Sequence, residues 1–207
     1  MRSRHIPKKK RKSRYKNIVV ENMKRRKMEH KIIPYKQSLS QSCLVACFLM
    51  LLKGRYGIKF TSRDEEKITI RSMQRKYSFY VAGVPKEIAK AYKKKIKLTV
   101  DNKYFTKVVT KAIGDEKNIR TYHQKITMDY IKRIVKENPV ICHVDDHYLG
   151  DYSHASHFVI IEKTTNKKIK IIDPWTGKRR VVSAKRIEDS ITSLKKHVKM
   201  CPLVYTI

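Results

Sequence analysis

The apolar residues change their spacing along the chain, from continuous runs to alternating patterns. Residues 44–52 form an unbroken apolar run, with Ser40 or Ser42 before it and Gly54 after it. A serine can cap the start of a helix and a glycine can end one, so the run predicts a helix. Apolar residues would lie on nearly every face of this helix, and we therefore expect it to be central and buried.

The remaining pattern predicts further helices and then several strands. Pro85 is placed in the first turn of its helix, where its missing N–H costs nothing. The predicted helices cover residues 64–76, 83–95, 127–137 (starting at Thr127 or Asp129) and 184–191. The predicted strands cover residues 98–100, 140–144, 157–161, 168–172, 180–182 and 202–207, with 157–161 and 168–172 forming an antiparallel hairpin around Asn166.

The order of these elements indicates a fold class. Helices dominate the first part of the chain and strands dominate the second. Segregated helices and strands are typical of α+β proteins. We therefore predict an N-terminal helical layer packed on an antiparallel sheet.

Charge divides the chain into two parts. The protein has 50 Lys and Arg against 18 Asp and Glu, a formal net charge of +32. Residues 1–31 hold 14 of the basic residues and two acidic ones, for a net +12, which leaves +20 on residues 32–207. We predict a basic, flexible arm at 1–31 and one folded domain at 32–207. The arm is either a solvated tail or an attachment to nucleic acid or another anionic surface.

The chain shows no sign of export. It lacks the roughly 20 continuous apolar residues of a membrane span and the apolar core of a signal peptide. A cytoplasmic location is expected, with a nuclear one only in a eukaryotic host, because residues 7–12 (PKKKRK) are similar to a nuclear import signal. The four cysteines are irregularly spaced, which favours free thiols over a disulfide framework. The pattern does not predict an oligomeric state.

Three residues can supply the chemistry of a cysteine hydrolase. Cys43 precedes the buried helix, where the positive end of the helix dipole lowers the pKa of a thiol. His157 opens one predicted strand, and Asp173 ends the next, just before Pro174. Adjacent strands can place the imidazole beside the carboxylate. A nucleophile, a base and an orienting carboxylate therefore follow one another in papain-like order.

Three motifs extend this pattern: QSLSQSC at 37–43, HFVII at 157–161 and IDPWTG at 172–177. Together they resemble the papain-like peptidases that remove double-glycine leaders from bacteriocin precursors, over about residues 32–207. The resemblance implies a papain-like fold and a free-standing thiol peptidase without a cofactor. Its substrate would be a peptide or protein, cleaved after small residues such as Gly. It also implies that Gln37 donates to the oxyanion, together with the backbone N–H of Cys43.

Other functions stay open at this stage. The family usually has Gly after its nucleophile, whereas this chain has Leu44. With the basic charge, this motivates a nucleic-acid-binding or scaffold protein on a catalytically inactive papain-like fold. Other thiol acyl transfer is a further alternative.

Other histidines, acidic residues and cysteines are weaker candidates for a functional role. His154 is the alternative base to His157. The His/Asp-rich segment 143–154 contains metal-capable side chains, but its spacing matches no strong metal motif, so no metal is expected. Packing roles are expected for Cys47, Cys142 and Cys201.

Overall fold

The computed structural model describes residues 31–74, 79–150 and 153–207. Within it, residues 32–207 form one compact unit. The predicted basic arm lies outside the described residues, apart from Lys31. None of the described helices is both long enough and apolar enough to cross a membrane.

The described residues form six α-helices and seven strands. A short 3₁₀ turn, Asp146–Tyr148, follows the third strand. The helices are α1 (Cys43–Tyr56), α2 (Ser62–Ser72), α3 (Tyr80–Tyr92), α4 (Lys103–Ile113), α5 (Met128–Val135) and α6 (Ala184–Lys196). The strands are β1 (Ile96–Val100), β2 (Ile119–His123), β3 (Val140–Asp145), β4 (Ser156–Thr164), β5 (Lys168–Asp173), β6 (Lys178–Ser183) and β7 (Leu203–Thr206).

All seven strands join one mixed sheet in the order β2-β1-β7-β3-β4-β5-β6. The α+β class is confirmed, but the prediction of an antiparallel sheet is wrong at one edge. There β1 and β2 are parallel, because α4 connects them as a crossover helix and returns the chain to the same end of the sheet. The predicted hairpin of β4 and β5 is present and antiparallel.

Helices cover both faces of the sheet, not one. Successive residues of a strand point to opposite faces, and the buried residues separate accordingly. On one face, Ile141, Phe158 and Ile160 join a core with α1, α3 and α4. On the other face, Cys142 and Val159 join a second core with α5 and α6. The predicted N-terminal layer is therefore only one of two helical layers.

The central helix α1 is present, but it ends later than predicted. Its residues 43–52 are all buried. Gly57 ends the helix, in a left-handed conformation with φ of 67° that glycine adopts readily. Gly54, the predicted stop, lies inside the helix, where an added Cβ would be 3.1 Å from Cα of Ile32. Gly54 therefore allows a close approach of the preceding segment.

The third helix also differs from the prediction. Because α3 begins at Tyr80, Pro85 lies in its second turn and cannot donate to the carbonyl of Val81. The hydroxyl of Tyr205 on β7 donates to that carbonyl instead, at 2.9 Å. A bond across 124 residues therefore compensates for a proline inside the helix.

Candidate active site

Cys43 is the first residue of α1 and is almost fully buried. The residue before it, Ser42, occupies the N-cap position without capping the helix through its side chain. Its hydroxyl instead donates to the carboxylate of Glu65. The backbone N–H groups of the first helical turn have no carbonyl partner within the helix, so they are available to an anion next to Cys43.

Glu65 on α2 organises the loop that leads to Cys43. Its buried carboxylate accepts the backbone N–H of Ser38 at 3.0 and 3.2 Å and the hydroxyl of Tyr35 at 2.6 Å. Burial and this hydrogen bond raise the pKa of Tyr35 to about 12, so the phenol stays protonated as a donor. The sequence analysis did not identify Glu65, because its partners lie 23 to 30 residues away along the chain.

His157 and Asp173 form a buried pair on neighbouring strands. Nε2 of His157 lies 3.0 Å from Oδ1 of Asp173, as the predicted hairpin requires. Burial would lower the pKa of His157, but the hydrogen bond to Asp173 and the contact with Cys43 outweigh it and raise the pKa to about 10. Because Asp173 engages Nε2, the ring nitrogen that remains for Cys43 is Nδ1.

Two further groups hold Asp173 in its charged form. The backbone N–H of Trp175 donates to Oδ1 at 2.9 Å, and Nη1 of Arg180 lies 3.5 Å from Oδ2. Burial alone would raise the pKa of Asp173, but the hydrogen bond from His157 and these two contacts hold it below its ordinary value. The carboxylate is therefore ionised and oriented toward the imidazole.

Gln37 lies in the loop before α1, and its side chain is turned into that loop. Its Nε2 donates to the carbonyls of Leu39 at 2.6 Å and Ser40 at 3.2 Å. Its Oε1 is buried and has no hydrogen-bond partner in the described part of the chain. Donation to an oxyanion would require a rotation of this side chain, so the predicted role of Gln37 stays a prediction.

The loop that carries Gln37 is tied to the turn after Asp173. The backbone N–H of Gln37 donates to the carbonyl of Pro174 at 2.8 Å. Gly177 has φ of 65°, and an added Cβ there would lie 2.8 Å from Cβ of Lys36. A glycine is needed at this position for both reasons. The turn therefore fixes the distance between the loop before Cys43 and the end of β5.

Leu44, the departure from the resembled family, points into the protein core. It is fully buried among the apolar residues of the first core. It does not line the cavity beside Cys43 described below. Its side chain therefore leaves the approach to Cys43 open.

A cavity of about 1030 Å³ opens beside Cys43. Its walls include four aromatic side chains, Phe79, Tyr80, Phe105 and Phe158. The cavity touches Cys43 but neither His157 nor Asp173. A group bound in the cavity would thus meet the sulfur directly, while the imidazole and carboxylate lie behind it.

A second imidazole, His143, also lines the cavity. Its Nδ1 donates to the carbonyl of Cys201 at 3.1 Å, and its Nε2 accepts from the hydroxyl of Ser156 at 2.7 Å. Its ring stacks on Phe158 at 4.3 Å. Burial lowers the pKa of His143 to about 4, so it is neutral near pH 7. The sequence placed it at the start of the His/Asp-rich segment 143–154, which does not predict this environment.

The other candidates from the sequence lie in different surroundings. Nδ1 of His154 contacts Asp145 at 2.7 Å, and its ring stacks on that of His197 at 4.6 Å. Among residues 31–74, 79–150 and 153–207, no group of three His, Cys, Asp or Glu side chains is arranged to hold a metal ion. Asp151, part of the metal-capable segment, lies outside the described residues.

The remaining cysteines are poorer nucleophiles. Burial raises the pKa of Cys142 to about 12 and raises that of Cys47 well above its ordinary value. Burial also raises the pKa of Cys201. Because the thiolate is the reactive form, these thiols are suited to packing, as the sequence predicts.

Comparison with known proteins gives no independent identification. The chain matches no protein-family model and no curated protein. The arrangement at Cys43 is therefore interpreted from its own geometry.

Proposed function

We propose that the protein is a papain-like cysteine peptidase that hydrolyses a peptide bond through an acyl-enzyme on Cys43. The observation that carries the proposal is the buried pair of His157 and Asp173, in which Nε2 lies 3.0 Å from Oδ1. Against the effect of burial, Asp173 and Cys43 raise the pKa of His157 to about 10. An imidazole that stays protonated beside a thiol favours a thiolate–imidazolium pair. The pair lies beside a cavity large enough for a peptide segment.

In the first half of the reaction, the thiolate of Cys43, whose proton is held on Nδ1 of His157, attacks the scissile carbonyl carbon. A C–S bond forms, and the carbonyl oxygen becomes an oxyanion. The unpaired N–H groups at the start of α1 stabilise that charge, and Gln37 would join them after the rotation described above. The C–N bond then breaks, and the leaving amine takes the proton from His157.

In the second half, neutral His157 accepts a proton from water. The resulting hydroxide attacks the thioester, the C–S bond breaks, and the product leaves as a carboxylic acid. Cys43 leaves as a thiolate while His157 keeps the proton from water, which restores the thiolate–imidazolium pair. Asp173 keeps the imidazole oriented throughout and stabilises its charged form.

The resemblance to double-glycine leader peptidases suggests cleavage after small residues such as Gly. The basic body of the protein adds a preference for acidic peptide substrates. Both preferences can be read from a library of peptides in which the residues on each side of the cleaved bond vary.

The test is covalent labelling followed by measurement of intact mass. Brief exposure to a limiting peptide electrophile near neutral pH should add one label to the wild type and none to Cys43→Ala. Cys201→Ser is the matched control, because Cys201 lines the same cavity, and it should label like the wild type. Equal labelling of wild type and Cys43→Ala would overturn the proposal.

A further inference from the structure

One end of the sheet has a face that the helices within residues 31–74, 79–150 and 153–207 cover only in part. In β1, Ile96, Leu98 and Val100 point into the first core, so Lys97 and Thr99 point to the opposite face. On β2, Arg120 pairs with Lys97 and Tyr122 pairs with Thr99. These four residues therefore share one face, here called the open sheet face.

The second helical layer reaches Thr99 on this face but leaves its other three residues uncovered. Helix α5 packs on β4, and α6 packs on β3, so both lie over the middle of the sheet. Lys97, Arg120 and Tyr122 are all exposed. A concavity of about 520 Å³ forms between this edge of the sheet and α5, with Tyr130 and Ile134 in its wall.

The charged groups at the concavity are mainly cationic. Of the described side chains that line it, Arg55, Lys95 and Lys97 are cationic and Glu137 is anionic. Arg55 also donates to the carbonyl of Ile207. Arg120 lies directly beside Lys97, which extends the positive charge along β2. Such a surface attracts a polyanion.

The aromatic residues indicate which kind of polyanion fits this surface. Tyr122 exposes 43% of its surface on the same face as Lys97 and Arg120. Tyr130 is held across the concavity by a 2.7 Å hydrogen bond between its hydroxyl and that of Thr99. Flat rings interleaved with cations match unpaired bases and phosphates, whereas an acidic peptide would use the cations alone.

We propose that the open sheet face binds single-stranded nucleic acid. Tyr122 stacks on a base, and Lys97 and Arg120 contact the neighbouring phosphates. This binding is separate from the peptidase chemistry at Cys43, and it uses the folded domain, not the basic arm.

Fluorescence anisotropy with the full chain and a labelled single strand of roughly 12 nucleotides tests the stacking. Tyr122→Ala should weaken binding at least about fivefold, and Tyr122→Phe should retain it, since the ring supplies the contact. Tyr104→Ala is the matched control, because Tyr104 on α4 is 77% exposed and lies in the other layer. It should bind like the wild type.

The phosphate contacts are tested through the salt dependence of binding. Lys97→Ser with Arg120→Ser should reduce the slope of log K against log salt by about 1.4, for two lost phosphate contacts. Lys107→Ser with Lys111→Ser removes the same charge from exposed positions on α4. The slope of this control pair should change by less than half as much.

Three results would overturn the proposal. The first is equal binding by Tyr122→Ala and the wild type. The second is an equal salt slope for the double variant on the open sheet face and the control double variant on α4. The third is competition by polyglutamate or duplex that is as strong as competition by the unlabelled single strand. Cys43→Ala should bind the oligonucleotide like the wild type. The peptidase proposal can therefore fail while this one stands, and the reverse.

Discussion

The two concavities of the molecule are built in opposite ways. At Cys43 the polar groups are buried and joined to one another, from Glu65 through the loop before Cys43 to His157 and Asp173. On the open sheet face the charged groups, Lys97 and Arg120, are exposed. Buried, mutually bonded charges are sensitive to geometry, whereas exposed charges act mainly through their sum. The first arrangement suits chemistry and the second suits binding.

Among the tests of this contrast, Asp173→Asn should have the largest effect, a loss of turnover at the Cys43 site. The substitution keeps the shape of the side chain but removes the charge that supports the imidazolium, and it can present the wrong tautomer of His157. Turnover should fall by about 10²- to 10⁴-fold, measured as kcat/KM on a peptide substrate. Asp189→Asn removes a carboxylate from an exposed ion pair with Lys185 and should leave turnover unchanged. Equal rates for both variants would remove Asp173 from the mechanism.

The second-largest effect is expected in the pH dependence of acylation at Cys43. His157 must be protonated to supply the leaving amine, and its pKa is about 10 in the folded protein. Acylation by the wild type should therefore decline only as the pH rises toward 10, and earlier in Asp173→Asn. The same shift stabilises the fold below the ordinary pKa of 6.5, and this contribution is lost as the pH rises through about 10. A decline of wild-type acylation centred near pH 6.5 would contradict the raised pKa of His157.

Glu65→Gln should have a smaller effect than Asp173→Asn or the change of pH. The amide is similar in size but has only one acceptor oxygen for the donors from Tyr35, Ser38 and Ser42. The loss should lower the free energy of unfolding by about 1–3 kcal/mol, measured by urea denaturation. Glu66→Gln, one residue along α2, is the control and should change stability by less than about 0.5 kcal/mol.

Labelling of Cys43 in Glu65→Gln separates a local role from a general one. Glu65 supports the loop before Cys43, so the rate of labelling should fall in this variant under conditions where it remains folded. The addition of a stabilising osmolyte should not restore it. A labelling rate equal to that of Glu66→Gln would show that Glu65 supports the fold alone.

The smallest effect is expected from salt at the peptidase site. Buried pairs are screened far less than exposed charges, so a rise from about 50 to 200 mM salt should change Cys43 labelling by less than about twofold. The same change should weaken oligonucleotide binding severalfold. Parallel losses in both assays would erase the distinction between the two regions.

The sequence predicts the elements whose residues are apolar enough to be recognised locally. The run at 44–52 and the strands around His157 and Asp173 were identified for this reason, and with them the pair at the candidate site. Helix α4 and strand β2 were missed. Only Val109 and Ile113 of α4 and Ile119 of β2 are buried, which leaves little apolar pattern at an edge of the sheet.

Other features depend on partners that are distant in the sequence. The sequence predicts Pro85 at a helix start, because proline is poorly tolerated inside a helix. The hydroxyl of Tyr205 makes the interior position tolerable, but it comes from β7, far along the chain. The burial of Glu65 and His143 depends on hydrogen bonds to residues 13 to 58 positions away. Local propensity carries no information about such contacts.

The position of β7 has a consequence for how the protein folds. Strands β1 and β2 form one part of the sheet, β3 to β6 form another, and β7 alone lies between them. Although most of the chain precedes β7, the two parts cannot share hydrogen bonds until residues 203–206 insert. Closure of the sheet is thus a late event that depends on contacts between distant residues, which slows folding. During synthesis, the nascent chain exposes two unpaired inner edges until β7 is available.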